Sequence, residues 1–229
     1  MSAAMIHLLA AVAIFVGGHF ALSSPRARGS LIQRLGPQRF TGLYSIFAAL
    51  GLVWVIFAYA RAPYVEVWPT LSLLRPVPTV LMALVAVLLV AGTTQYNPTT
   101  VMQNVDPGLA DPAPGILKVT RHPVMWAFGL WALAHLPVNG DLASLLLFGG
   151  FAILALHGTR RIDARRRAGN AQAYDRLTAV TSNVPFVALI EGRARLSLAE
   201  IGWPRLALAA LLYVALFVLH PWIAGPALF

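Results

Sequence analysis

Apolar and polar positions alternate along the chain in long blocks. Six stretches are mainly apolar: residues 3–22, 41–60, 77–96, 123–138, 142–158 and 206–224. A membrane-crossing helix needs about 20 such residues, and the tolerated range starts near 17. The fourth and fifth stretches are short and joined by Val138-Asn139-Gly140-Asp141. Asn-Gly is strong turn chemistry, so these two predict a tilted full-depth hairpin or a partly re-entrant one. Segment 97–122 holds Pro98, Pro107, Pro112 and Pro114 and reads as irregular. Segment 159–205 reads as partly helical over 160–177, where Ala and Arg are frequent and Asp163 and Tyr174 also fall. No internal repeat or separate soluble domain is visible, so residues 1–229 form one transmembrane domain.

Composition agrees with this pattern. The chain is 59% hydrophobic and 11% charged, against roughly 25% charged in ordinary soluble domains. The expected class is an all-α, polytopic integral membrane protein with about six transmembrane helices, and its first partner is the lipid bilayer. Net charge is +9, which in a soluble chain would suggest nucleic acid. Topology explains it better. Segments 23–40, 97–122 and 159–205 carry 15 of the 17 basic residues, and Arg61 and Arg75 are the other two. Such an alternation fits six spans with both termini outside the cytoplasm and gives no reason to expect a nucleic-acid partner. The N-terminus lacks a basic residue before its apolar run, so it reads as a retained first span rather than a signal peptide.

With no cysteine, disulfides, thiolate catalysis and cysteine-ligated metals are excluded. The strong nitrogen ligands are His7, His19, His122, His135, His157 and His220. Ionisable residues in a span are costly and therefore functional candidates. His19 follows Gly17-Gly18, which lets a neighbouring helix or a flat macrocycle approach the backbone. Arg121 and His122 precede Pro123, at the mouth of the fourth span. Their plain readings are a positive-inside anchor and a helix cap. His135 lies thirteen residues beyond His122, about 20 Å along a helix and turned by about 220°. The two do not share a face, so they are poor joint ligands for one metal. Its plain reading is an interfacial histidine bonded to a backbone carbonyl. His7, His157 and His220 read as structural. Thr93-Thr94-Gln95-Tyr96-Asn97 ends the third span either as a satisfied helix terminus or as a pocket floor near Arg121 and His122. Arginines 160–167 read as an anchor to anionic lipid. Hydrolase and phosphate-loop motifs are absent.

Four stretches carry a family likeness: GGHFALSSPRAR (17–28), RLGPQRFTGLYSIFA (34–48), TRHPVMWAFGLWALAHLPVNGD (120–141) and LTAVTSNVPFVALIEGR (177–193), with the tail YVALFVLHPWI (213–223) beside them. The chain resembles the NnrU family and, within it, the branch of 15-cis-ζ-carotene isomerases. That resemblance implies a bacterial inner-membrane protein that holds heme b between His19 and His135. It also implies redox-dependent cis–trans isomerisation of a hydrophobic polyene, reduced iron freeing a coordination site. Two departures stand out: Ala132 replaces a cysteine three residues before the second histidine, and Gly149-Gly150 stands where paired histidines are found in the plant enzymes. The likeness leaves a role in denitrification, nitric oxide handling or heme handling as an alternative. The span boundaries put His19 near one surface and His135 near the other, which makes His122 the alternative partner for His19. Arg121-His122-Pro123 with Tyr174 and Pro185-Phe186 also resembles isoprenylcysteine-type methyltransferases, where this region holds S-adenosylmethionine; there Arg121 and His122 would bind cofactor. Those enzymes carry paired glutamates in the next helix, where this chain offers Asp163. Oligomeric state is not legible, because paired glycines pack helices within or between chains alike.

Overall fold

The computed structural model describes residues 2–69, 71–100 and 103–224. The described chain forms α1 (Ala3–Leu22), α2 (Pro25–Leu35), α3 (Pro37–Ala60), α4 (Pro76–Thr94), α5 (Pro123–Asn139), α6 (Leu142–Gly169), α7 (Ala171–Ala179), α8 (Val187–Ile190), α9 (Leu198–Ile201) and α10 (Trp203–Ala224). Among the described residues there is no β-strand beyond one isolated bridge, Glu66 with Asp141. Five helices, α1, α3, α4, α6 and α10, are long and apolar enough to cross a bilayer. The sixth expected span is α5, and its 17 residues stand at the lower limit of about 17. The protein is a polytopic α-helical membrane protein. Leu43, Ile46, Leu50 and Val53 on α3 and Leu208, Leu211, Val214 and Val218 on α10 are exposed, as lipid as the solvent requires.

Two boundaries differ from expectation. Segment 23–40 contains α2, whose start is set by Ser24 accepting from the Ala27 amide at 3.4 Å and by Pro25 in the first turn. The fifth apolar stretch does not stop at 158. Helix α6 runs on to Gly169, so the arginines of 160–167 lie on its last turns and His157 lies inside the helix rather than at an end. Gly158 lies inside the helix, where the Met125 side chain occupies the space a Cβ would take. The break comes at Asn170, which caps α7 by accepting from the Ala173 amide at 3.0 Å.

The chain divides into two compact units. Unit 1 comprises Met1–Ser72 and His135–Leu154. In it α1 and α3 pack antiparallel: His7 meets Trp54, Phe15 meets Gly51 and Gly18 meets Phe47. Glycine lets the backbones approach closely; a Cβ at Gly51 would lie 2.9 Å from the Phe15 ring. After α3 an extended strap reaches the 139–142 turn. Val67 and Trp68 amides donate to the Gly140 carbonyl at 2.8 and 3.1 Å, and the Leu142 amide donates to Val65 at 2.8 Å. Gly140 has φ +69°, a conformation costly for a side chain. Asp141 caps α6 through the Ser144 amide at 3.0 Å, and the Ser144 hydroxyl meets that of Tyr59 at 2.9 Å.

Unit 2 comprises Leu73–Ala134 and Ala155–Phe229. Helices α4 and α10 pack together, with Ala86, Val90 and Ala209 buried between them. Leu88, Ala91, Ile116, Val119, Ala127 and Ile201 form a second core. Gln95 bridges segments: its amide nitrogen donates to the carbonyls of Glu200 and Ile201 at 2.9 Å, and its oxygen accepts from the Ile116 amide at 3.1 Å. Thr93 and Thr94 bond back to their own helix, and Asn97 donates to the Gly92 carbonyl at 2.9 Å. The polar end of the third span is therefore a satisfied helix terminus and not a pocket floor.

Candidate functional site

His19 and His135 both belong to unit 1. His19 sits in the last turn of α1, and its Nδ1 is 2.6 Å from the Phe15 carbonyl oxygen. A carbonyl only accepts, so Nδ1 carries the proton and donates; in the neutral ring Nε2 keeps its lone pair. Aromatic rings enclose the imidazole: Phe15 at 4.5 Å between centroids, Phe47 at 5.5 Å, and Tyr44 edge-on at 5.4 Å. His135 lies near the end of α5. Pro137 follows inside the helix, which removes an amide and frees the Leu133 carbonyl. The His135 ring stacks on Phe148 at 5.1 Å and 24°, and its carbonyl accepts from the Asn139 amide group at 2.7 Å.

Both histidines reach α6 through aromatic rings, His135 directly at Phe148 and His19 by way of Phe15. Phe15, against His19, also meets Phe151 at 5.5 Å. Phe151 is three residues from Phe148 on α6, and residues at that spacing share a helix face. Helix α1 starts, and α6 starts, at the end of unit 1 where the strap holds the turn, so the two run in the same direction. Three residues from Phe148 to Phe151 and four from Phe15 to His19 set the histidines on the order of 10 Å apart in depth. The expected separation by nearly a whole membrane thickness is thereby reduced to about two turns.

His19 and His135 would supply two nitrogen donors in unit 1. Among the described residues no three His, Cys, Asp or Glu side chains gather as a ligand group. A bare structural or catalytic ion takes three or four protein ligands, whereas a porphyrin leaves only axial positions to the protein. A ligating histidine characteristically donates its other ring N–H to a carbonyl, as His19 does. At Gly17 and Gly149 an added Cβ would meet no atom of this chain within 4 Å.

Arg121 and His122 belong to unit 2 and are neither a free anchor nor a surface cap. His122 is 0% exposed. Its Nε2 lies 2.5 Å from Asp163 Oδ1, and Arg121 grips the same carboxylate through Nε at 3.1 Å and Nη2 at 2.6 Å. Tyr174 donates its hydroxyl to the same carboxylate. The sequence groups Asp163 and Tyr174 with Arg121 and His122 only through the methyltransferase resemblance. Asp163 sits in an arginine-rich run, and nothing local shows that it faces inward. A carboxylate held by a guanidinium accepts, so His122 donates Nε2–H. Burial pushes His122 below its ordinary range, and Asp163 only partly opposes this. Burial and donation to Asp163 both push Tyr174 upward. Below about pH 6.5 the unfolded chain takes a proton on His122 that the folded chain refuses. The stability His122 contributes is therefore complete above that pH and is lost as pH falls through the folded value. Thermal unfolding in detergent is expected to show a midpoint that drops between about pH 7.5 and 5, and a smaller drop for His122→Asn.

The motif stretches pair within each unit. In unit 1, residues 17–28 meet 34–48 through His19–Tyr44 and through Arg28 over the Phe40 ring at 5.0 Å. In unit 2, residues 119–126 meet 182–186. Arg121 N donates to Ser182 O at 3.0 Å, Phe186 N to Val119 O at 2.8 Å, Thr120 Oγ1 to Asn183 O at 2.5 Å, and Trp126 Nε1 to Asn183 Oδ1 at 3.1 Å.

These features define a multi-pass helical membrane protein with His19 and His135 in one unit and a buried Arg-His-Asp-Tyr network in the other. The chain belongs to the NnrU protein family, whose pattern it matches over residues 7–227. It is similar to the chloroplastic 15-cis-zeta-carotene isomerase of Zea mays, 34% identical over 82 residues, which is 36% of this chain and 22% of that one. It is likewise similar to the enzyme of that name from Arabidopsis thaliana, 34% identical over 119 residues, 48% of this chain and 31% of the relative. The chain thus spans less than a third of the length of either curated relative in the matched region. No solved structure matches.

Proposed function

We propose that this NnrU protein is a carotenoid isomerase-like enzyme of a bacterial inner membrane, with both termini non-cytoplasmic, that holds heme b between His19 and His135 and interconverts cis and trans forms of a carotenoid or other polyene. The observation that carries the reading is the 2.6 Å bond from His19 Nδ1 to the Phe15 carbonyl, which fixes the tautomer and leaves Nε2 as a ligand. The relatives' names supply the substrate class. When bound, the heme would supply an iron that changes oxidation state. The chain's own residues hold and shield it. Phe15 packs on His19 and sets the imidazole plane; Phe47 and Tyr44 keep water from the ring; Phe148 stacks on His135. Such an apolar, aromatic lining suits a polyene that travels in the bilayer. With Ala132 three residues before His135 and no cysteine in the chain, His135 would be the second residue to hold the heme. The Arg121 guanidinium and the His122 ring are both engaged by Asp163, which makes methyl transfer the weaker reading.

The test is a visible spectrum of the detergent-purified protein, oxidised and reduced, followed by chromatography of 15-cis-ζ-carotene incubated with each form. Expected are a Soret band with sharp reduced α and β bands, and conversion only with the reduced protein. A heme spectrum with no conversion in either state moves the assignment to heme or nitric oxide handling. A protein that stays colourless after heme addition overturns the cofactor.

A further inference from the structure

Helix α2 forms a basic rim on unit 1 that has no counter-charge among the described residues of that unit. Ala27, Arg28, Leu31, Ile32 and Leu35 are half-buried, while Arg26, Gly29, Ser30, Gln33 and Arg34 are exposed. That spacing is an amphipathic helix, and its apolar face packs against α3. Arg39, on the first turn of α3, is exposed beside it. Arg28 is held over the Phe40 ring at 5.0 Å, which pins α2 to α3. The acidic residues of unit 1 are Glu66 and Asp141. Both lie beyond the far end of α3, a helix of 24 residues and so about 36 Å long. No carboxylate of unit 1 can reach these arginines. The helix also follows a membrane span after only Ser23 and Ser24 and precedes another after Gly36, so it must lie at the level where acyl chains give way to headgroups.

We infer that α2, with Arg39, is an interfacial helix that binds the headgroups of anionic phospholipids through Arg26, Arg34 and Arg39. The occupant is lipid because both ends of α2 are tied to spans, which holds its polar face against the headgroup layer and leaves its half-buried leucines and isoleucine facing protein and acyl chains. Gly29, Ser30 and Gln33, between the arginines, are short or neutral and let phosphates approach the helix. The inference is independent of the heme reading.

Native mass spectrometry of the full chain in neutral detergent tests it, with phosphatidylglycerol, phosphatidylcholine and inorganic phosphate titrated separately. The wild type is expected to retain phosphatidylglycerol over phosphatidylcholine, and R26Q/R34Q/R39Q to lose on the order of a hundredfold in that preference. Arg61→Gln, at the other end of α3, is expected to keep it. Added salt is expected to weaken retention by the wild type. Equal retention of the two lipids by the wild type, or an unchanged preference in the triple variant, overturns the inference. So do displacement of lipid by millimolar inorganic phosphate and a dimer whose formation excludes lipid. All three substitutions are at exposed positions, and the wild-type titration alone can refute the inference if a variant fails to fold.

Discussion

Asp163→Ala is expected to destabilise the protein by about 3–5 kcal/mol, the cost of leaving buried charge uncompensated. The carboxylate takes donors from Arg121, His122 and Tyr174, and its side chain is 19% exposed. Removing it strands the Arg121 guanidinium, 14% exposed, beside a fully buried imidazole. The thermal midpoint in detergent should fall on the order of 10 °C. Asp163→Asn keeps an acceptor but no charge and should fall between the two. The paired variant Arg121→Leu/Asp163→Leu should recover much of the loss, because an apolar replacement leaves no stranded charge. A midpoint for Asp163→Ala within two degrees of wild type would mean that the network contributes little.

The second large effect concerns color rather than folding. His19→Ala and His135→Ala should each abolish or shift the Soret and α bands, while His7→Ala should leave them intact. His7 accepts from the Trp54 indole at 2.7 Å and has a structural use already. Phe15→Leu should keep heme but broaden the bands, since the Phe15 carbonyl remains while the ring that sets the imidazole plane is gone. Imidazole added to His19→Gly should restore part of the spectrum if the loss is of a ligand and not of the fold. Unchanged bands in both single alanine variants would remove the paired-histidine site.

The spans were legible because lipid imposes a length on apolar runs that few other constraints produce. Helix α1 matches its expected range, and the turn at 139–142 falls where Asn139-Gly140 indicated. Helix α2 was missed because its 11 residues carry three arginines and too few apolar side chains to read as anything but loop. His19 and His135 could be ranked from their positions in or near spans. The rings through which each reaches α6 could not: in a helix apolar on every side, no polar periodicity shows which phenylalanine turns toward which neighbour. Asp163 was hidden for a different reason. Its partners Arg121 and His122 lie more than forty positions earlier, and a charge count along the chain cannot show which charged side chain turns inward.

The strap that holds the 139–142 turn also bears on how the chain enters the membrane. Val65, Val67 and Trp68 leave the ribosome well before Gly140 and Leu142, their hydrogen-bonding partners. In the proposed topology those bonds would form only after the turn has crossed to the side on which the strap already waits. Insertion of the α5–α6 hairpin would then be followed by a latching event, and the state before latching would leave the Val67 and Trp68 amides and the Gly140 carbonyl open to water. Protease access to residues 62–69 during synthesis would report the moment at which insertion of unit 1 is complete.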